Sequence, residues 1–290
     1  MQLDIFDHSR DVMLRNDVVD ALERREASLA RSAWRAFANE FPHDDTLSAL
    51  GVLIETLESR TVALFATHDA LRDARSTLDH DIEPAARRVF GERAGTMWIA
   101  AVCRVMAPRA ARLAFRGDRD EDHAAPLWLR AGDWQAAADA VGRIESWRRI
   151  PASLAWMAEA RYRLEGLEAV WALLAELAWL APARYGELTR RLADPSLDRL
   201  RKQFDAGFEG DGDVADLAWF PAWVLTEKPG VARWLGEAQP SRDSAPERAM
   251  RLLLELIGLE RQGRHSDVVD RRKVLRDTHP VLYAAYLKTR

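Results

Sequence analysis

A single cysteine, Cys103, stands in 290 residues, so the chain can close no disulfide on itself and build no cysteine-based zinc cluster. Cys103 lies in the apolar run Met97 to Cys103 and reads as a buried structural thiol. Lysine is scarce. Lys202, Lys228, Lys273 and Lys288 are the full set, and arginine carries the rest of the basic charge, a bias that reads as genome composition. The formal net charge of −4 is too near neutral to indicate a nucleic-acid or membrane partner by itself. Long apolar runs are missing too: Ala169 to Ala181 is interrupted by Glu176 and is too short to cross a bilayer. The opening Met1-Gln2-Leu3-Asp4-Ile5-Phe6-Asp7 has no basic segment and no apolar core, so no signal peptide is expected. Also lacking are GxSxG, Walker and Rossmann fingerprints, and no two of the seven histidines have HxxxH or HExxH spacing. These absences lead to the expectation of a soluble, cytoplasmic protein without cofactor or metal.

What is present is helix vocabulary. Almost half the chain is apolar, Ala, Leu and Arg dominate, and β-branched residues are sparse. Nearly every segment reads with the helical period, and none convincingly with the alternation of a strand. Ser9 can cap a first helix to about Arg25, and a second runs from about Ala27 to Glu40 and stops at Phe41-Pro42. Asp45 or Thr46 can cap the next, and further helices are expected over Thr61–Leu78, Pro84–Phe90 and Thr96–Ala114, the last kinked or broken by Pro108. His68 shares a stripe with Leu64, Leu71 and Leu78, which suits a core or boundary histidine. Two connectors stand out, the charged Gly117–His123 and the Gly/Asp-rich Gly207–Asp213, the most flexible-looking stretch. They divide the chain into a helical region 1–117, central hairpins 118–208 and a helical region 209–290 that ends in a final hairpin.

Gly132 and Gly166 lie 34 residues apart, each between two helix-like runs. Trp128 and Tyr162 stand four residues before them, and Ala138 and Ala172 six after. A period of that length belongs to stacked helical hairpins, which bury their faces on neighbours and build a solenoid. Ala124–Ala131 then pairs with Asp133–Trp147, Ala152–Glu165 with Leu167–Leu180, and Glu247–Gln262 with His265–Thr278. An irregular helical bundle is the alternative. The segments Trp128…Gly132-Asp133-Trp134, Tyr162…Gly166 and Leu259…Gly263 resemble tetratricopeptide-type repeats, over about 100 residues. Ala178 matches that family's small position after Gly166, where Ile144 and Leu275 depart from it, and the family's proline is absent from all three units. The resemblance implies a helical-hairpin superhelix with a scaffold role, and no ligand-binding residues carry over.

Eleven tryptophans are many for this length, and six fall between Trp128 and Trp179. They can fill gaps between stacked hairpins, or a subset can line a docking groove, since Trp and Arg are the usual interface anchors. On the second reading Trp128, Trp134, Trp147, Arg148, Arg149 and Trp156 are the candidate partner-binding residues. Trp147-Arg148-Arg149 is the sharpest local candidate, with a solvated turn as the alternative. Seven arginines against Glu92 between Pro84 and Arg116 could touch phosphate or form a solvated helix face. The acidic start and basic end of the chain could favour head-to-tail association. Asp118, Asp120 and Asp122 mimic a calcium loop, but His123 and Leu129 stand where it needs Gly and Glu. The expectation is therefore a non-catalytic all-α adaptor whose partner is another protein or a second copy of itself. A nucleic-acid-contacting solenoid and a helical enzyme with a dispersed site are the alternatives.

Overall fold

The computed structural model describes residues 3–59 and 63–289, with side chains from residue 10 onward. Among the described residues every regular element is helical and none is a strand, as the periodicity requires. The chain divides into two compact units, Met1–Asp133 and Trp134–Arg290.

In the first unit α1 (Leu3–Glu23) turns at Arg25, held at φ 59, into α2 (Ala27–Glu40), and the two pack together. Helix α1 begins before Ser9, which therefore lies within it and not at its start. Helix α2 ends at Phe41 before Pro42, as expected. Helix α3 (Leu47–Glu58) lies against α2, and its turn is set by Asp44, whose carboxylate accepts the Thr46 N–H at 2.8 Å; neither Asp45 nor Thr46 caps it through a side chain. The expected start at Thr61 falls outside the described residues. Helix α4 (His68–Thr77) is capped by the Thr67 hydroxyl, which accepts the Ala70 N–H at 3.1 Å. His68 is half-buried and bonds the Ala114 carbonyl at 2.8 Å.

A π-turn over Leu78–Ile82 joins α4 to α5 (Glu83–Arg109). Gly91, at φ 76 and ψ 177, breaks α5 where the sequence calls for two helices, while exposed Pro108 sits one residue from its end. Helix α6 (Ala124–Ala131) packs on α5. Phe37, Leu50, Leu53, Ile54, Leu71 and Leu78 are fully buried at the core. Cys103 is buried with them, and burial pushes its thiol up to about 11, which suits a structural role. The connector Gly117–His123 is anchored in this unit. Asp122, 4% exposed, takes Arg72 at 2.8 Å and Arg75 at 3.2 Å, and His123 Nδ1 accepts the Ala125 N–H at 3.2 Å.

In the second unit α7 (Trp134–Gly142) packs on α8 (Pro151–Glu165). Helix α9 (Trp171–Leu180) has every residue from Trp171 to Trp179 buried, so it lies in the core with no solvent face. Helices α8 and α10 (Pro182–Leu192) flank it, and Asp194 caps α11 (Pro195–Gly207). A short 3₁₀ segment, Val214–Trp219, leads into α12 (Phe220–Glu227), and α13 (Ala232–Leu235) lies against α9. Helix α14 (Ala245–Arg261) packs on α12 and on α15 (His265–Thr278), and α16 (Pro280–Lys288) on α15 and α12. Phe204 meets Phe220 and Trp223 edge-on at 5.5 Å, which ties α11 to α12. Arg272 donates to Tyr286 Oη at 2.9 Å and to Glu260 at 3.0 Å, which joins the last three helices.

Candidate recognition site

Trp147, Arg148 and Arg149 form a single 3₁₀ turn. Arg148 donates through Nε and Nη2 to the two carboxylate oxygens of Glu176, at 3.0 and 2.8 Å. Glu176 is 3% exposed within the buried helix α9, and the Gln239 N–H also donates to it at 2.8 Å. Burial pushes the Glu176 carboxyl above its ordinary range, against the pull of Gln239 and Arg148. Arg149 donates to the Ser241 carbonyl at 3.0 Å. Next along the chain Glu247, 2% exposed, accepts the N–H groups of Ser241, Arg242 and Asp243 at 3.0 to 3.1 Å, and Arg251 at 3.0 Å. Burial opposes the charge on Glu247, but these hydrogen bonds outweigh it and hold the carboxyl below its ordinary range. The two buried carboxylates thus clamp the 239–243 loop, and Arg148 is spent on one of them.

The other candidates are scattered. Trp156 is 4% exposed, so it fills the core of the second unit and offers no docking surface, because α8 is buried from Ala152 to Ala160. Trp134 is half-buried with the Arg163 guanidinium 5.7 Å from its ring. Trp128 is half-buried against the core of the first unit. In the Arg87–Arg116 stretch, Arg87 pairs with Glu83 at 2.7 Å, Arg88 with Asp45 at 2.6 Å and Arg116 with Asp118 at 2.9 Å. Arg104 donates to the Ala131 carbonyl at 2.8 Å and Arg109 to the Ala63 carbonyl at 2.9 Å. A phosphate-facing stripe would keep only Arg93 and Arg112 without such a partner among the described residues.

A cleft of about 420 Å³ in the first unit is lined by apolar side chains of α3 and α5, among them Val52, Val102 and Met106, together with polar ones such as Glu55, Thr56 and Asp81. Arg109 lines it too, its guanidinium 4.2 Å from the Phe65 ring and its pKa lowered by burial.

A more specific arrangement lies in the second unit, in a segment that sequence reasoning reads only as flexible. After α11 the chain turns tightly around Asp216, whose carboxylate accepts the N–H groups of Asp211 at 3.1 Å and Gly212 at 2.8 Å. Gly210 packs so closely here that a Cβ would overlap the Asp216 carboxyl. The turn brings Glu209, Asp211 and Asp216 onto a pocket of about 280 Å³ shared with Phe208, Trp219 and the α15–α16 junction at His279. The Trp219 ring lies 5.0 Å from His279, edge-on at 66°, and 6.2 Å from Phe208. Burial, with Arg248 adding to it, holds the His279 imidazole below its ordinary value and so neutral at pH 7. None of the three carboxylates forms an ion pair among the described residues, and no Lys or Arg lines the pocket. Electron-rich ring faces beside unneutralised carboxylates make a site complementary to an organic cation. The sequence signal was an acidic Gly-rich turn followed by Trp219, outside the main tryptophan cluster.

No group of three or more His, Cys, Asp or Glu among the described residues is placed to hold a metal ion. Compared with known proteins, the chain matches no family model, and no curated protein or solved structure shows significant similarity to it.

Proposed function

We propose that this chain is a non-catalytic helical-repeat scaffold of the cytoplasm that binds a protein partner by capturing a lysine or arginine side chain between Phe208, Trp219 and His279. The carrying observation is the composition of the pocket lining, three carboxylates and three ring systems without a Lys or Arg, with Arg248 acting on His279 from outside the lining. A cation over an aromatic face is worth about 0.5 to 2 kcal/mol, more as water is excluded. The carboxylates add attraction that weakens with salt. The repeat reading is supported by Gly166 and Gly263, which stand at the ends of α8 and α14 with φ of 86° and 69°. It is supported as well by the packing of consecutive helices, α8 on α9 and α14 on α15.

The test is fluorescence anisotropy of the full chain with short peptides carrying lysine, trimethyl-lysine, arginine or acetyl-lysine. Binding of the cationic peptides, weakened at least about tenfold by Trp219→Ala and untouched by Trp147→Ala, is the expected result. Acetyl-lysine peptides binding as tightly as lysine peptides would show that charge plays no part and would remove this reading.

A further inference from the structure

A second cavity of the same unit, about 440 Å³, opens between α10 and α11 and is closed by the 3₁₀ segment Val214–Trp219. Its volume falls in the range of small-molecule sites, about 300 to 1,000 Å³. Tyr185 of α10 lines it and is only 1% exposed. The Tyr185 hydroxyl has no hydrogen-bond partner among the described residues, and the charge that acts on it is Arg201, which lines the same cavity. A phenol with no partner in the protein is open to a hydrogen bond from whatever occupies the cavity. Burial also raises its pKa, so the hydroxyl stays protonated and can both donate and accept.

The other polar groups carry both signs. Arg190 donates through Nε to the Gly186 carbonyl at 3.2 Å and makes no ion pair among the described residues. Arg201 is engaged by Asp205 at 2.8 Å through Nε, which leaves its terminal nitrogens available. Glu187 on α10 and Asp198 on α11 line the cavity with no cationic partner among the described residues. Leu197, Leu217 and the Phe220 ring, 5.8 Å from that of Tyr185, supply apolar wall. A simple anion would leave the carboxylates unmatched, and a simple cation would leave the guanidinium groups and the phenol unmatched. A zwitterion with an apolar side chain satisfies all of them.

We propose that this cavity binds a free α-amino acid with an apolar side chain, its carboxylate on the Tyr185 hydroxyl and the arginines and its ammonium on Asp198 and Glu187. The test is isothermal titration of the full chain with leucine and phenylalanine, beside N-acetylleucine, which lacks the cation, and 3-methylbutylamine, which lacks the carboxylate. Leucine or phenylalanine binds, and each truncated probe binds at least about tenfold more weakly, since every lost charged contact is worth that much. Tyr185→Phe keeps the packing and discards only an unpartnered hydroxyl, so the fold by circular dichroism is unchanged while amino-acid affinity falls about five- to tenfold. Absence of heat with both amino acids, equal binding of N-acetylleucine, or full affinity in Tyr185→Phe would each overturn the proposal.

Discussion

At residue 148 an arginine beside a tryptophan looks like an interface anchor, yet its guanidinium neutralises the buried carboxylate of Glu176. Breaking such a pair from one side leaves an uncompensated buried charge, which costs about 3 to 5 kcal/mol. Arg148→Met is therefore expected to lower unfolding stability by about 3 kcal/mol, and Glu176→Gln in the same chain to restore much of it, in a double-mutant cycle of denaturant midpoints. Glu176 has a raised folded pKa, so its contribution is fullest below the unfolded pKa and fades as pH rises through the folded one. Loss of Arg148 should widen that window, with the variant's deficit growing as pH rises from acid to neutral. Glu247 titrates the other way. Its folded pKa is depressed, so the stability it lends is present above the unfolded pKa and lost as pH falls through the folded one. Glu247→Ala should cost about 2 kcal/mol at pH 7, and that difference should shrink toward pH 3 in parallel unfolding titrations. The sequence shows that Glu176 interrupts an apolar run, but not its partner, because the pair joins residues 28 apart.

Among the elements, the glycines were the most legible signal. Gly132, Gly166 and Gly263 all adopt positive φ at helix ends, and their spacing carries that information because other residues are strained there. Gly91 is the same kind of break within a longer helix, at φ 76 and ψ 177, a region open almost only to glycine. Gly91→Ala should cost about 1 to 3 kcal/mol although nothing stands where its Cβ would go. Gly51 and Gly258 lie within α3 and α14 without positive φ and with open space around them. Alanine at either should instead raise stability by about 0.5 to 1 kcal/mol, and equal effects at all three sites by thermal unfolding would contradict the assignment of strain to Gly91. Less legible were α10, α11 and α16. Pro182 and Pro280 follow the ends of α9 and α15, and each is the first residue of the next helix, where a fixed φ and a missing N–H are no burden. The π-turn at Leu78–Ile82 left no pattern, since both of its ends are simply apolar and buried.

For the molecule as a whole, helical class was readable because amphipathic periodicity is a property of neighbours in sequence, whereas a pocket is not. Residues 208–219 and 278–282, which share the aromatic and acidic pocket, are separated by α12, α13, α14 and α15, and no local pattern joins them. They do belong to one compact unit, Trp134–Arg290, whose core is built around the wholly buried helix α9 and the aromatic contacts of Phe204, Phe220 and Trp223. A unit that holds its own core should fold by itself. Residues 134–290 expressed alone should therefore give a helical circular-dichroism spectrum and a cooperative unfolding transition. They should also bind the cationic peptides within about twofold of the full chain, because every residue of the pocket is present. A fragment that folds but binds no peptide would locate the recognition surface in Met1–Asp133, with the apolar cleft of α3 and α5 the next place to mutate. A fragment that fails to fold would instead show that α9 and its neighbours depend on the preceding residues, and the peptide test would then have to rest on Trp219→Ala in the full chain.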